Sequence, residues 1–296
     1  MQLPDNAVIS VVGAGQMGAG IAQVLAQFAY SVLLTDVSVE RAQAGKTNIG
    51  KALTRLVDKG KLEPVLRDSV LARITPLSAE ASYPRCDFMI EAASENRELK
   101  LSIFRQADAL ARPGVILASN TSSISITALA GQTKRPELVV GMHFMNPVPI
   151  MKLVELVRGL QTSEATLGTV RALGERLNRQ LIMSLDRPGF LINRILIPFL
   201  NEACFALQES TGSAEDIDRG ARLGLNHPLG PFELADLIGL DTVLSIAEVL
   251  EQEFGDSKYR PAVVLKNLVA AGWLGKKTGR GFYRYDSAGA KTGYSL

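Results

Sequence analysis

The chain holds two histidines, His143 and His227, in 296 residues. Histidine titrates near neutral pH, so each is a candidate proton carrier. His143 lies in MHFMNP (142–147), and Glu155 follows twelve positions later inside the apolar run KLVELV. A carboxylate in such a run is costly unless it has a partner. A neutral His143 donating Nδ1–H to Glu155 would satisfy it, and the carboxylate would then stabilise the imidazolium formed on proton uptake. That is the equipment of a general base for an alcohol proton. The other reading puts Glu155 on the solvent side of an alternating strand. His227, in GLNHPLGP, reads as part of a turn. Ser122, in NTSSIS, is placed to hold a substrate or cofactor atom, while its neighbouring serines suit a helix cap near 124. Asn193, in the otherwise apolar GFLINRILIPF, suits either a substrate oxygen or a backbone group near Pro188.

These residues need elements to hold them. AVISVV (7–12) reads as a buried strand. Gly13-Ala-Gly15-Gln16-Met17-Gly18 follows at once, then a helical stretch, then the strand SVLLT (31–35) ending at Asp36. A glycine motif between strand and helix, with an acid closing the next strand, is the context of a dinucleotide fingerprint. Gly13 allows the tight turn, Gly15 lets a pyrophosphate approach the backbone, and Gly18 lets helix and strand pack closely. Gln16 and Met17 open the helix at the same site, where the phosphate charge is favoured. Asp36 would accept from the adenosine ribose hydroxyls and repel a 2′-phosphate, so NAD is the expected cofactor. Alternation continues with strands at 88–93, 114–119, 137–142, 152–157 and 180–185, and helices between most of them. This predicts a mostly parallel sheet binding ligands at its carboxyl edge. Asp36, Glu91, Asn120, Ser122 and His143 fall at or just past strand ends.

Arg187-Pro188-Gly189 ends the alternation. Helices follow at about 190–210, from Ser213 to Gly224, and at 240–254 and 261–272. The fold class expected is α/β, a Rossmann-type dinucleotide-binding domain (1–186) followed by an all-α C-terminal domain (187–296). Apolar residues on several helix faces point to subunit contact as one use of that surface. Residues 38–61 form a basic helical arm in which Lys51, Arg55 and Lys59 share a face at i, i+4, i+8. Such a face is either simply solvated or a clamp for a polyanion.

Composition excludes several classes. Lys+Arg 32 against Asp+Glu 30 leaves a net charge of +2, which argues against nucleic-acid binding. Cys86 and Cys204 have no metal-site spacing, so no metal is expected, and a reducing compartment is. The first residues lack a secretory pattern, and no apolar run reaches the length of a membrane span. The expected location is cytoplasmic, without membrane association.

Several stretches together carry a family resemblance: GAGQMGAGIAQ, DFMIEAASEN, ILASNTSSISIT, RPELVVGMHFMNPVPIMKLVELVRG, RPGFLINRILIPFLNEA, EDIDRGARLGLNHPLGPFELADLIGLD and GDSKYRPAVVLKNLVAAGWLGKKTGRGFYRY. Over roughly 6–286 the chain resembles the 3-hydroxyacyl-CoA dehydrogenase family, most of all its short single-chain bacterial members. The resemblance implies His143 as catalytic base and Glu155 as its partner. It implies Ser122 and Asn193 as the residues that position the reacting oxygens. It puts Asp36 on the adenosine ribose, and Glu95, Lys100 and Asn146 along the nicotinamide half of the cofactor site. Arg55 and Lys59 fall where basic residues of the arm meet the coenzyme A phosphates. It also implies an (S)-3-hydroxyacyl-CoA substrate, short-chain by closest likeness, and a homodimer formed through the helical domain. A 3-hydroxyadipyl-CoA, free 3-hydroxy acid or carnitine-type dehydrogenase on the same scaffold is the nearest rival. A non-catalytic, crystallin-like dinucleotide-binding protein is the rival of another class. The tail after Tyr285 matches nothing in the family and receives no role.

Overall fold

A computed structural model describes residues 3–296 and divides the chain into two compact units, one running to Arg187 and the other Pro188–Leu296. The first unit is built on an eight-stranded sheet. Its chain order is β1 (Val8–Val12), α1 (Gln16–Gln27), β2 (Ser31–Thr35), α2 (Val39–Asp58), α3 (Pro64–Ala72), β3 (Ile74–Leu77), α4 (Ala79–Ser82) and β4 (Phe88–Glu91). Then come α5 (Arg97–Leu110), β5 (Ile116–Ser119), α6 (Ile126–Ala130), β6 (Val139–Phe144), β7 (Leu153–Arg158), α7 (Glu164–Arg176) and β8 (Gln180–Leu185).

The strand order is β3-β2-β1-β4-β5-β6-β7-β8. The first six are parallel and follow the doubly wound order, whose direction of winding reverses between β1 and β4. At that switch point the loops after the two strands part and leave a crevice. β1 and β4 are buried at nearly every position, as strands covered on both faces must be. The link from β6 to β7 is too short for a crossover, so β7 returns antiparallel to β6, and β8 runs parallel to β7. One continuous core joins Ile9, Val11, Ile21, Leu25, Phe88, Ile90, Val140, Met142, Val154 and Leu156.

Residues 62–87, for which the sequence predicts no element, hold α3, β3 and α4. β3 is an edge strand of four residues with Pro76 inside, a place where proline costs no ladder bond. The arm helix is shorter than its predicted 38–61 span. Ser38 caps it, its hydroxyl accepting from the Arg41 amide.

The second unit contains α8 (Ile192–Gln208), α9 (Ala214–Gly224), α10 (Pro231–Ile238), α11 (Leu240–Phe254), α12 (Val263–Ala270) and a hairpin of β9 (Tyr283–Tyr285) and β10 (Lys291–Tyr294). Ser213 caps α9 through the Asp216 amide, as its sequence suggested. The core gathers Ile197, Leu200, Phe232, Leu240, Val243, Leu250, Leu265 and Phe282. The unit is helical, as expected, but the hairpin was not anticipated. It is tied in by two buried carboxylates. Asp236 accepts from the Phe282 and Tyr283 amides and the Tyr285 hydroxyl, and Asp218 from the Phe232 and Glu233 amides and the Tyr283 hydroxyl. Burial pushes both carboxyls above the usual range against the pull of these donors. No helix among the described residues is long and apolar enough to cross a membrane.

Candidate active site

The glycine motif does three different things. Gly13 has φ +107°, and a Cβ there would lie 2.5 Å from the Ala92 carbonyl oxygen. At Gly18 a Cβ would lie 1.8 Å from the Gly13 oxygen, so only glycine lets α1 approach the turn after β1. At Gly15 a Cβ would meet nothing within 4 Å. Gly15 therefore keeps open space rather than avoiding protein. That space belongs to a cavity of about 640 Å³ in the crevice past β1, β2 and β4, lined by Gly13, Gly15, Gln16, Met17, Asp36 and Ala92 among others. Its size and its position at a helix N-terminus fit the adenosine and pyrophosphate portion of a dinucleotide.

Asp36 lines this cavity. Its Oδ2 accepts from the Ala14 amide at 2.8 Å, and its Oδ1 from the Val37 amide and from Arg41 Nε at 3.1 Å. Gln16, on the first turn of α1, donates to the Asn146 side chain at 3.1 Å, joining the glycine motif to the loop after β6.

The carboyl-edge loops form a second cluster. Glu95 accepts from the Thr121 hydroxyl, the Ser122 and Ser123 amides and the Ser123 hydroxyl. Lys100 lies 3.2 Å from Glu95 and 2.5 Å from Glu91, and is itself 1% exposed. Burial pushes the Glu95 carboxyl up, but the Lys100 ammonium and these donors outweigh it and hold it below its ordinary value. Burial pushes the Glu91 carboxyl up, opposed by Lys100, the Ser119 hydroxyl and the Ala93 amide. Lys100 and Glu91 thus lie behind the wall of the site, and Glu95 carries their hold forward to the loop that presents Ser122. Asn120 turns its side-chain oxygen to the Phe144 amide at 2.9 Å, tying the end of β5 to the end of β6. Asp186 was not singled out in the sequence. It accepts from the Ser125 hydroxyl and the Ile126 and Thr127 amides, fixing the start of α6 just past Ser122.

His143 and Glu155 are directly cross-strand on β6 and β7. His143 Nδ1 lies 3.1 Å from Glu155 Oε2. Glu155 is fully buried, and His143 is nearly so. The antiparallel return of β7 is what brings Glu155, early in its strand, to the carboxyl end of β6. A carboxylate on Nδ1 leaves Nε2 as the nitrogen that can exchange a proton with a ligand.

Asn193 is buried in the first turn of α8 in the helical unit. His227 lies exposed on the loop after α9, its ring edge-on to Phe199 at 5.2 Å. Lys51 and Arg55 on α2 and Lys59, its C-cap, are exposed, whereas Ile49 and Leu53 of the same helix are buried. None of the three forms an ion pair among the described residues.

A doubly wound sheet with this crevice and a buried His–carboxylate pair at its carboxyl edge defines a dinucleotide-dependent oxidoreductase as the class. Residues 8–187 match the family model for the 3-hydroxyacyl-CoA dehydrogenase NAD binding domain, and residues 189–285 that for the 3-hydroxyacyl-CoA dehydrogenase C-terminal domain. The chain belongs to the 3-hydroxyacyl-CoA dehydrogenase family, and its cofactor is NAD. It is 48% identical to the 3-hydroxybutyryl-CoA dehydrogenase of Bradyrhizobium diazoefficiens over 95% of this chain and 96% of that one. The crystal structure of (S)-3-hydroxybutyryl-CoA dehydrogenase from Ralstonia eutropha superposes with a TM-score of 0.91 at 49% identity, covering 95% of this chain and all of that one. The 3-hydroxyadipyl-CoA dehydrogenase of Escherichia coli is 40% identical over 93% of this chain and 58% of its own length.

Proposed function

We propose that the protein interconverts (S)-3-hydroxyacyl-CoA and 3-ketoacyl-CoA, with 3-hydroxybutyryl-CoA and acetoacetyl-CoA as its pair. The observation that carries this reading is the cross-strand His143–Glu155 pair at the carboxyl edge of the NAD-binding sheet. His143 Nε2 takes the proton of the substrate 3-hydroxyl, and Glu155 stabilises the imidazolium that results. Bound NAD⁺ supplies the acceptor for the C3 hydride. In the reverse direction the imidazolium returns its proton to the alkoxide oxygen. Ser122 and Asn193 hold the reacting oxygens, and the Glu95 hydrogen bonds keep the Ser122 loop in place. Gly13, Gly15, Gln16, Met17, Gly18 and Asp36 hold the adenosine and pyrophosphate half of the cofactor. Glu95 and Asn146 line the nicotinamide half, backed by Lys100 and Asn120. Arg55 and Lys59, exposed and without an ion-pair partner among the described residues, meet the coenzyme A phosphates. A homodimer through the helical unit and a cytoplasmic location complete the proposal.

The test is NADH oxidation with acetoacetyl-CoA, with free acetoacetate, and with 3-ketoacyl-CoA esters of increasing length, including a dicarboxylic one. Turnover with acetoacetyl-CoA well above the others is expected. Preference for the dicarboxylic ester would move the assignment to 3-hydroxyadipyl-CoA, and preference for acetoacetate would remove coenzyme A from it. NADH binding without turnover of any ester would make this a non-catalytic family member.

A further inference from the structure

The adenosine end of the cavity holds opposite charges side by side. Asp36 directly follows β2, and Arg41, in the first turn of α2, sets its Nε 3.1 Å from Asp36 Oδ1. Both side chains line the cavity, and Arg41 is the only cation among its described lining residues, Glu80 being the other acid. A carboxylate offers about four acceptor positions. Three are engaged here, by the Ala14 and Val37 amides and by Arg41. A ribose hydroxyl binding to Asp36 therefore shares the carboxylate with Arg41 or displaces it. Displacement is easy, because the Arg41 side chain is 71% exposed and has no other ion pair among the described residues. The guanidinium then stands beside the hydroxyl that carries the extra phosphate in NADP. An arginine at this position is the usual means of accepting that phosphate, through planar, charge-assisted hydrogen bonds.

We propose that Arg41 is a phosphate-accepting cation held next to the ribose 2′ position and masked by its pairing with Asp36, so that rejection of a 2′-phosphate rests on the Asp36 carboxylate alone. This rests on the reading that Asp36 receives the adenosine ribose. While Asp36 is present, Arg41 neutralises it in part and fixes its orientation, and the two charges together present no attraction for a phosphate. Without Asp36, Arg41 is a cation with no ion-pair partner among the described residues, lining the same cavity, and the preference shifts toward the 2′-phosphorylated nucleotide.

The experiment measures NADH and NADPH binding by nucleotide fluorescence in the wild type, Asp36→Ala, Arg41→Ala and the double variant, at low and high salt. Binding requires no acyl-CoA turnover, so the result is independent of the substrate assignment. Wild-type NADH binding and its weakening in Asp36→Ala check the ribose reading separately. Asp36→Ala is expected to bind NADPH on the order of tenfold or more tightly than the wild type, with an affinity that falls with salt. Adding Arg41→Ala should cancel that gain and its salt dependence. Arg41→Ala alone should leave NADPH binding as weak as in the wild type and weaken NADH only a few-fold. Equal NADPH affinity in Asp36→Ala and the double variant would overturn the proposal. So would tighter NADPH binding in Arg41→Ala alone, which would make the arginine an excluding group. Asp36→Ser repeats the comparison should Asp36→Ala fail to fold, with thermal unfolding of each variant as the control.

Discussion

His143 and Glu155 each need the other for a different reason. Fully buried Glu155 must have a partner for its charge, and His143 must keep one nitrogen for the ligand and the other in a fixed tautomer. The 3.1 Å contact meets both needs at once. Removing the base and removing its partner should then have different consequences. His143→Ala should lower kcat for acetoacetyl-CoA reduction on the order of 10³-fold and leave the NADH dissociation constant within a few-fold. Glu155→Gln keeps a similar shape without the charge, so kcat should fall about 10²-fold while NADH still binds. Steady-state rates paired with fluorescence titration of NADH separate these effects. Near-normal turnover in His143→Ala would rule the residue out as the base. Most of this pair was legible in the sequence, because an acid in an apolar run demands an explanation. The register was not. Whether Glu155 faced His143 or solvent depended on the direction and alignment of β7, which pairs residues across two strands and leaves no trace in either one. Arg41 and Asp186 were illegible for a related reason, since ordinary surface residue types acquire meaning only from the atoms opposite them.

At the scale of elements, the β1–α1 turn was legible and the edges were not. The turn is announced by residue types that nothing else requires, with glycines at 13, 15 and 18 between a β-branched run and a helix. β3 and β10 are short and carry proline, glycine or polar residues, so they show no period to read. Their pairing comes from neighbours: β2 for β3, and β9, anchored on Asp218 and Asp236, for β10. The glycines also make a discriminating prediction. A Cβ at Gly18 would be 1.8 Å from a backbone oxygen, which no side-chain movement relieves. Gly18→Ala should therefore push α1 off the turn, destabilise the unit by about 2 kcal/mol or more, and abolish NADH binding. A Cβ at Gly15 meets no protein atom, so Gly15→Ala should fold with an unfolding temperature close to that of the wild type. It should still weaken NADH binding about tenfold or more, because the methyl occupies the approach of the pyrophosphate. Thermal unfolding measured beside NADH titration checks both. Equal loss of stability in the two variants would contradict the distinction drawn between packing and ligand space.

At the scale of the whole molecule, the surface of the helical unit bears on assembly. Leu223 and Leu225, at the end of α9, are 80% and 62% exposed, Leu237 in α10 is 55% exposed, and Ile195 in α8 is 64% exposed. Single exposed apolar residues are ordinary, but several large aliphatic ones on one small unit are a cost in water that association removes. The net charge of +2 on 296 residues offers little long-range repulsion between copies. A two-fold interface uses every such residue twice, so the gain from burying each is doubled in a dimer. The proposed homodimer therefore predicts a strong response to charge on this surface. The wild type should sediment as a dimer at micromolar concentration. Leu223→Asp combined with Leu225→Asp should weaken association by about 10⁴-fold or more, since each leucine loses roughly 1.5–3 kcal/mol of burial in each copy. Sedimentation velocity across a concentration series measures this. NADH titration of the same variant guards against misfolding, because the cavity for the cofactor's adenosine half is lined by residues of the other unit. A wild type that stays monomeric throughout the series would remove the homodimer, and a double variant as dimeric as the wild type would remove Leu223 and Leu225 from its interface.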